Sequence, residues 1–165
     1  MSLSSAGHGI ADVDLDDPNF ERTPYDRWVA YGRAKTANAL FAVEFDRRHR
    51  DRGVRATSVH PGGINTELGR HMSQEEMDAL VQQMDAAGEG PSFKWKTIPQ
   101  GAATSVWTGV VAQADAVGGR YCEDCHVADV SPGQGVLPGV RPYAVDPDRA
   151  RDLWAKSEEM VGEQF

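Results

Sequence analysis

The pattern of apolar and polar positions predicts short strands that alternate with helices. The clearest helix signal runs from Trp28 to about Asp51, where small and apolar residues recur every three or four positions. Asp26 stands where an N-cap is expected, and Gly53 is the predicted terminator. The predicted face consists of Ala30, Ala34, Ala37, Phe41 and Phe45.

Strand signals flank this helix on both sides. Residues 1–9 read as the end of a strand that runs into a Ser/Gly loop, and residues 11–26 read as an acidic surface loop. After the helix, the β-branched run Val54–Val59 predicts a strand that ends in a sharp loop at His60.

In the second half of the chain, the residue pattern predicts three helices and a strand. A helix over about Ser73–Ala86 should begin with a capping box, and another should run from about Pro99 to Asp115. A last short strand is predicted around Tyr121, and a polar terminal helix over Asp148–Val161. The face expected on the middle helix consists of Ala103, Val106, Trp107, Val110 and Ala114. This alternation predicts an α/β fold with parallel strands.

Composition narrows the possible functions. The chain has 165 residues, with 17 Lys+Arg and 25 Asp+Glu, and a formal net charge of −8. We expect a single domain over 1–165, with neither nucleic acid nor an anionic membrane as partner. The longest apolar run, Ala39–Val43, is too short to cross a bilayer, and the first ten residues do not resemble a secretory signal. We therefore expect a cytoplasmic protein.

Tyr31 and Lys35 are the first candidates for chemistry. Four residues apart on a helix, they share one face, so a phenol and an ammonium group can meet there. A nearby ammonium group lowers the pKa of a phenol and suits it to general acid–base catalysis. The alternative is an ordinary amphipathic helix with a surface lysine and a half-buried tyrosine.

Two polar segments follow predicted strands. Ser4 and Ser5 lie at the end of the first strand, where the hydroxyl groups of a parallel sheet face the ligand crevice. Pro61, Gly62 and Thr66 follow the second strand, where the backbone can approach a flat ligand and a hydroxyl group can bind it. Ordinary turns, with Thr66 as a helix cap, are the alternative for both.

Taken together and in this order, these motifs resemble the short-chain dehydrogenase/reductase family, in particular its retinol-dehydrogenase-like and WW-domain-oxidoreductase-like branch. The resemblance implies an NAD(P)-dependent oxidoreductase that interconverts hydroxyl and carbonyl groups on a small molecule. It implies that Tyr31 is the proton donor or acceptor, that Lys35 lowers the pKa of the tyrosine and binds the nicotinamide ribose, and that Ser5 polarises the carbonyl. The residues expected along the nicotinamide end are Pro61, Gly62 and Thr66.

The family's Gly-rich pyrophosphate loop has no counterpart in this sequence. We therefore expect the C-terminal part of a doubly wound, Rossmann-type fold, without the N-terminal cofactor half. The choice between NAD and NADP and the identity of the substrate stay open, although residues 67–98 would cover the substrate. The alternative is a non-catalytic α/β fragment that depends on a partner, either in a homo-oligomer or with a complementing chain.

A further pattern, Cys122-x-x-Cys125-His126, matches the attachment site of c-type haem. A zinc site would need two more ligands, and the other histidines show no paired spacing. We expect two free thiols near a strand end and no metal.

The missing pyrophosphate loop gives a first prediction. Isothermal titration of this chain with NADH and with NADPH should show weak binding or none, because most of the cofactor's contacts are expected elsewhere. A micromolar dissociation constant for either dinucleotide would contradict the prediction.

Overall fold

The computed structural model describes residues 1–64, 66–67, 70, 73–86, 94–133 and 135–165. In chain order the elements are β1 (Ser2–Leu3), a 3-10 helix (Ala6–Gly9), α1 (Arg27–His49), a 3-10 turn (Arg50–Arg52), β2 (Ser58–His60), α2 (Gln74–Ala86), α3 (Ile98–Val106), a π-helical turn (Trp107–Val111), α4 (Ala114–Val117), β3 (Tyr121–Glu123), β4 (His126–Val127), a 3-10 helix (Pro142–Val145) and α5 (Pro147–Val161).

The described strands form one sheet in the order β1-β2-β3-β4. The first three are parallel, and Ser58 of β2 pairs with Ser2 on one side and with Tyr121 on the other. This register aligns the carboxyl ends of the three strands at one edge. The predicted α/β class is therefore confirmed, although β4 is antiparallel to β3 and was not predicted.

The two faces of the sheet carry different layers. Successive side chains of a strand point to opposite faces, and β3 shows this clearly. Tyr121 packs in a cluster with Ala39 of α1, whereas Cys122 packs with Val117 of α4 and with Trp107. The sheet therefore lies between α1 on one side and the α3–α4 segment on the other, as in a doubly wound fold.

Local signals determine both ends of α1. The Asp26 carboxylate accepts hydrogen bonds from the backbone N–H groups of Trp28 and Val29, at 2.9 Å each, which confirms the predicted N-cap. Gly53 follows the C-terminal 3-10 turn in a left-handed conformation. Within the part of the chain that the structure describes, neither α1 nor any other helix is long and apolar enough to cross a membrane.

Helix α1 makes its closest approach to the loop after β1 at Gly32, which is not part of the predicted alanine face. A methyl group on Gly32 would lie 2.9 Å from the backbone N of Ala11 and 3.1 Å from the carbonyl oxygen of Gly7. One turn further on, the buried Thr36 hydroxyl lies 2.8 Å from the Ala11 carbonyl oxygen and donates to it. In the predicted face, Ala34 is exposed and Phe41 is 46% exposed, so that face does not pack on the sheet.

The prediction of one continuous helix from Pro99 to Asp115 is wrong. The Thr108 hydroxyl donates to the carbonyl oxygens of Thr104 and Ser105, and the ladder then widens so that Ala112 N–H bonds to Trp107 O. Side-chain bonds of this kind compete with the regular ladder, and here a π turn follows.

The apolar face predicted for this helix is only partly buried, since Trp107 packs against the cluster of Val59 and Cys122. The buried positions are Gly101, Thr104 and Thr108, whereas Val106 and Val110 are 54% and 79% exposed. Ile64 explains the choice of a small residue, because a methyl group on Gly101 would lie 2.0 Å from its Cδ1 atom. Close packing against β2 and its loop therefore selects the small residues of this helix.

Three smaller predictions were confirmed or adjusted at their boundaries. Strand β2 begins at Ser58 rather than at Val54. The Ser73–Glu76 capping box is present, with Ser73 N–H donating to the Glu76 carboxylate and Glu76 N–H to the Ser73 hydroxyl. The terminal helix begins at Pro147, one residue before the predicted start.

The close approach at Gly32 gives the second prediction. In an open helix, Gly→Ala stabilises by about 1 kcal/mol, but at Gly32 the new methyl group would meet backbone atoms that cannot move aside. We expect Gly32→Ala to lower the free energy of unfolding by about 1–3 kcal/mol in urea titrations. Gly109→Ala is the control, since nothing lies within 4 Å of its added methyl group. Equal stabilities of the two variants would contradict the prediction.

Candidate active site

The candidate residues converge at the edge where the parallel strands end. Ser4 and Ser5 follow β1, and Pro61 and Gly62 follow β2, whose last residue His60 pairs in register with Glu123 of β3. Ligands of α/β proteins bind outside the carboxyl ends of such strands. The fold therefore brings together segments that are more than fifty residues apart in the sequence.

Tyr31 and Lys35 lie on the same face of α1, as their spacing predicts. The Lys35 ammonium nitrogen is 5.6 Å from the centre of the Tyr31 ring and 3.2 Å from the carbonyl oxygen of Leu3, to which it donates. Partial burial lowers the pKa of Lys35. A phenol and a partly desolvated ammonium group are thus adjacent at the end of β1.

The Ser5 hydroxyl group and the Tyr31 ring both lie close to Gly7. A methyl group on Gly7 would lie 2.5 Å from Cε1 of Tyr31 and 3.4 Å from the Ser5 hydroxyl oxygen, so both side chains border the same point. The Ser5 hydroxyl caps the 3-10 helix by accepting from Gly7 N–H at 3.1 Å. Ser4 is buried and donates to the Lys35 carbonyl at 2.7 Å. Ser5 therefore borders the phenol, whereas Ser4 joins the loop to α1.

The buried ring of His8 fixes the position of this loop through hydrogen bonds. Its buried ring donates from Nδ1 to the Ser5 carbonyl at 2.7 Å and accepts at Nε2 from Arg141 N–H at 3.0 Å. Its own carbonyl accepts from the Tyr143 hydroxyl at 2.8 Å. Burial lowers the pKa of His8 to about 4, and the charge of Arg141 adds to the effect. The ring is therefore neutral at pH 7, with its proton on Nδ1.

The segment after β2 has one defined backbone shape. Gly62 has φ +92°, a conformation that other residues rarely adopt, and its N–H lies 3.3 Å from His60 Nδ1. Burial and the positive charge of Lys96 lower the pKa of His60 to about 4. Thr66 is among the described residues, but its neighbour Asn65 lies outside them, as do 68–69, 71–72 and 87–93 of the predicted substrate segment.

The cysteines do not form a cluster with other ligands in the described part of the chain. Cys122 is buried in β3 and Cys125 is exposed in the turn before β4, and both are free thiols, as predicted. Among the described residues there is no group of three His, Cys, Asp or Glu side chains placed to hold a metal ion.

Three residues at this edge were not assigned a role from the sequence. Asn38 donates to the Leu3 carbonyl at 2.9 Å, the same acceptor that Lys35 uses. Lys96 and Asp124 form an ion pair beside Pro61. Asn38 was detectable in principle, because it lies three residues after Lys35 on the helix. Lys96 and Asp124 had no such signal, since only the fold brings them to the loop after β2.

An apolar cavity of about 590 Å³ lies at the other end of α1. Phe41 and Trp154 stack in its wall with ring centres 5.6 Å apart, and Phe165 closes one side. None of the candidate active-site residues lines it. The prediction of a homo-oligomer, which could use this face of α1, stays a prediction.

Comparisons with known proteins support the fold and the similarity to oxidoreductases. No family model matches the chain. It is 41% identical over 158 residues to a Streptomyces lividans protein named probable oxidoreductase, a match that covers 92% of this chain and 51% of that protein. It is 37% identical over 162 residues to a short-chain dehydrogenase/reductase of Penicillium rubens, covering 98% and 46%. It is 34% identical over 160 residues to human retinol dehydrogenase 14, covering 97% and 43%.

The chain thus spans about half the length of the curated relatives it matches. A solved structure gives the same proportion. The crystal structure of an uncharacterized protein from Mycobacterium paratuberculosis superposes with a TM-score of 0.62 at 26% identity, over 99% of this chain and 50% of that one.

The neutral, buried His8 gives the third prediction. In the unfolded chain a histidine takes up its proton near pH 6.5, whereas in the folded chain His8 resists protonation down to about pH 4. The unfolded state therefore binds more protons in this window, and stability falls as the pH falls. Between pH 7.5 and pH 5, His8 should account for a loss of about 2 kcal/mol.

Urea unfolding of the wild type and of His8→Asn at both pH values measures this contribution. The asparagine amide can still donate to the Ser5 carbonyl but does not titrate, so the variant should lose about 2 kcal/mol less than the wild type over the interval. His60 acts in the same direction and is common to both proteins. Parallel losses in the two proteins would show that His8 is not the group responsible.

Proposed function

The chain belongs to the short-chain dehydrogenase/reductase family, and we propose that it provides the catalytic residues of an NAD(P)-dependent oxidoreductase that interconverts hydroxyl and carbonyl groups. The resemblance found in the sequence is confirmed by these relatives, which include a retinol dehydrogenase. One observation carries the proposal: at the end of β1 the Lys35 ammonium nitrogen lies 5.6 Å from the centre of the Tyr31 ring, and this ring and the Ser5 hydroxyl group both border Gly7.

The residues at this edge fit the nicotinamide end of such a cofactor. Lys35 uses one of its three N–H donors on the Leu3 carbonyl, which leaves donors for the hydroxyl groups of a ribose. Gly62 has a φ of +92°, which glycine adopts without strain, and Pro61 and Thr66 belong to the same segment. A bound nicotinamide would supply or accept the hydride.

Tyr31 and Ser5 act on the substrate oxygen in this proposal. When a carbonyl group is reduced, negative charge develops on its oxygen, and hydroxyl groups placed around that atom stabilise it. Ser5 donates a hydrogen bond to the oxygen, and Tyr31 delivers the proton that completes the alcohol. In the direction of oxidation the same phenol accepts that proton.

Lys35 acts through Tyr31. The Lys35 ammonium nitrogen is 5.6 Å from the centre of the Tyr31 ring, so its positive charge stabilises the negative charge that develops on the phenol oxygen as the proton leaves. Desolvation of Lys35 strengthens this effect, because the charge is less screened by water than on an open surface. The substrate is a small alcohol or carbonyl compound, and both NAD and NADP stay open as cofactors.

The fourth prediction tests these roles in two preparations: this chain alone, and this chain joined to the part of the Streptomyces lividans relative that it does not match. Oxidation of NADH and NADPH is followed at 340 nm with a panel of aldehydes and ketones. In the joined protein we expect turnover, and Tyr31→Phe should lower kcat/KM by about 100-fold or more because the proton donor is lost. Lys35→Met should also lower it.

Tyr25→Phe is the matched control, since this tyrosine is 71% exposed in the loop before α1. It should keep wild-type kcat/KM. Equal activities of Tyr31→Phe and Tyr25→Phe would remove Tyr31 from the mechanism. A folded protein without turnover in either preparation would favour the alternative, a non-catalytic α/β module that depends on a partner.

A further inference from the structure

The side chain of Lys96 lies directly across Gly62. A methyl group on Gly62 would stand 2.6 Å from the Lys96 ammonium nitrogen and 2.7 Å from both Cδ and Cε. A side chain at Gly62 would therefore displace the end of the Lys96 side chain, and the φ of +92° would strain it independently. Lys96 is thus in contact with the backbone of the segment that we propose for the nicotinamide end.

Lys96 also bonds to this segment on both sides of Gly62. Its backbone N–H donates to the Gly63 carbonyl at 2.8 Å, next to a parallel bridge between Ile64 and Lys96. Its ammonium group lies 3.4 Å from the Pro61 carbonyl oxygen and donates to it. One residue therefore satisfies the carbonyl groups before and after Gly62, so the loop cannot turn without losing both bonds.

Asp124 holds the ammonium group in this position. It pairs with Lys96 from the two-residue turn between β3 and β4, and this charge lowers the pKa of Asp124. Asp124 and Cys125 both have positive φ, at +45° and +59°, so the turn has a fixed direction that aims the carboxylate at Lys96. The pair thereby joins the end of β2 to the end of β3.

We propose that Lys96 and Asp124 are positioning residues, which hold Pro61–Gly62 in the one backbone shape that receives the nicotinamide end of the cofactor. This inference rests on the proposed function. A loop that is already in its bound conformation loses less conformational entropy when a ligand binds, so the pair should act on cofactor affinity more than on the chemical step.

The C-terminal helix contains a matched ion pair for comparison. Lys156 and Glu159 have side chains that are 26% and 70% exposed, close to the 25% and 65% of Lys96 and Asp124. They lie three residues apart on α5 and bridge no loop. Exposed pairs of this kind add little to stability, so a change seen only at Lys96 reports its position rather than its charge.

The fifth prediction compares Lys96→Met, Asp124→Asn and the control Lys156→Met in this chain. Methionine keeps the length of the lysine side chain without its charge. Without cofactor, hydrogen exchange of the peptide that covers residues 60–64 should be about 10-fold faster in Lys96→Met and in Asp124→Asn, but not in Lys156→Met. Thermal midpoints of all three should stay within a few degrees of one another.

Binding is measured by saturation-transfer NMR in the joined protein of the fourth prediction, with reduced nicotinamide mononucleotide, which carries the nicotinamide end alone. Its dissociation constant should rise about 10-fold in the two loop variants and stay unchanged in Lys156→Met. Wild-type exchange over 60–64 in Lys96→Met overturns the positioning role. Faster exchange together with no binding by the joined wild-type protein overturns the cofactor assignment, and with it the proposed function.

Discussion

The hydrogen bonds around the buried imidazole of His8 hold together the parts from which the site is made. Its ring joins the loop after β1 to the backbone at Arg141, and its carbonyl group receives the Tyr143 hydroxyl group. Because one ring nitrogen donates and the other accepts, only the neutral ring with its proton on Nδ1 fits. The loop that carries Ser5 therefore has one arrangement, and the C-terminal segment is required for it although it contributes no candidate catalytic group.

The close approach of α1 to this loop places Tyr31 beside Ser5 and Lys35 beside the end of β1. Gly7 and Gly32 leave no space for side chains at the contact, so the Tyr31 ring packs against the loop and beside Ser5. The hydroxyl group of Ser4 and the ammonium group of Lys35 then bind across the same junction. At the opposite end of the helix, Asp46 accepts from Ala56 N–H and from Arg55, which fixes where β2 begins. Each end of α1 is thus attached to a neighbouring strand.

Features that depend on neighbours in the sequence were predictable. The Asp26 cap, the length of α1 and the Ser73–Glu76 capping box arise from contacts within a few residues, and each was found where the sequence indicated. The middle helix failed for the opposite reason. Its apolar positions did not indicate which side meets the sheet: Ile64 fills the space over Gly101 and selects the small side, and the Thr108 hydroxyl group opens the ladder.

The sequence by itself determined the α/β class, the family and the set of candidate residues, because periodicity, caps and motif order are local or ordered properties of the chain. Only the tertiary structure decided which of these residues meet. The parallel register aligns the strand ends, the glycine contacts bring Ser5 to Tyr31, and the β3–β4 turn brings Asp124 to Lys96 over Gly62. Such contacts join residues that are far apart in the chain, and their geometry depends on how whole elements pack, which no short pattern of residues encodes.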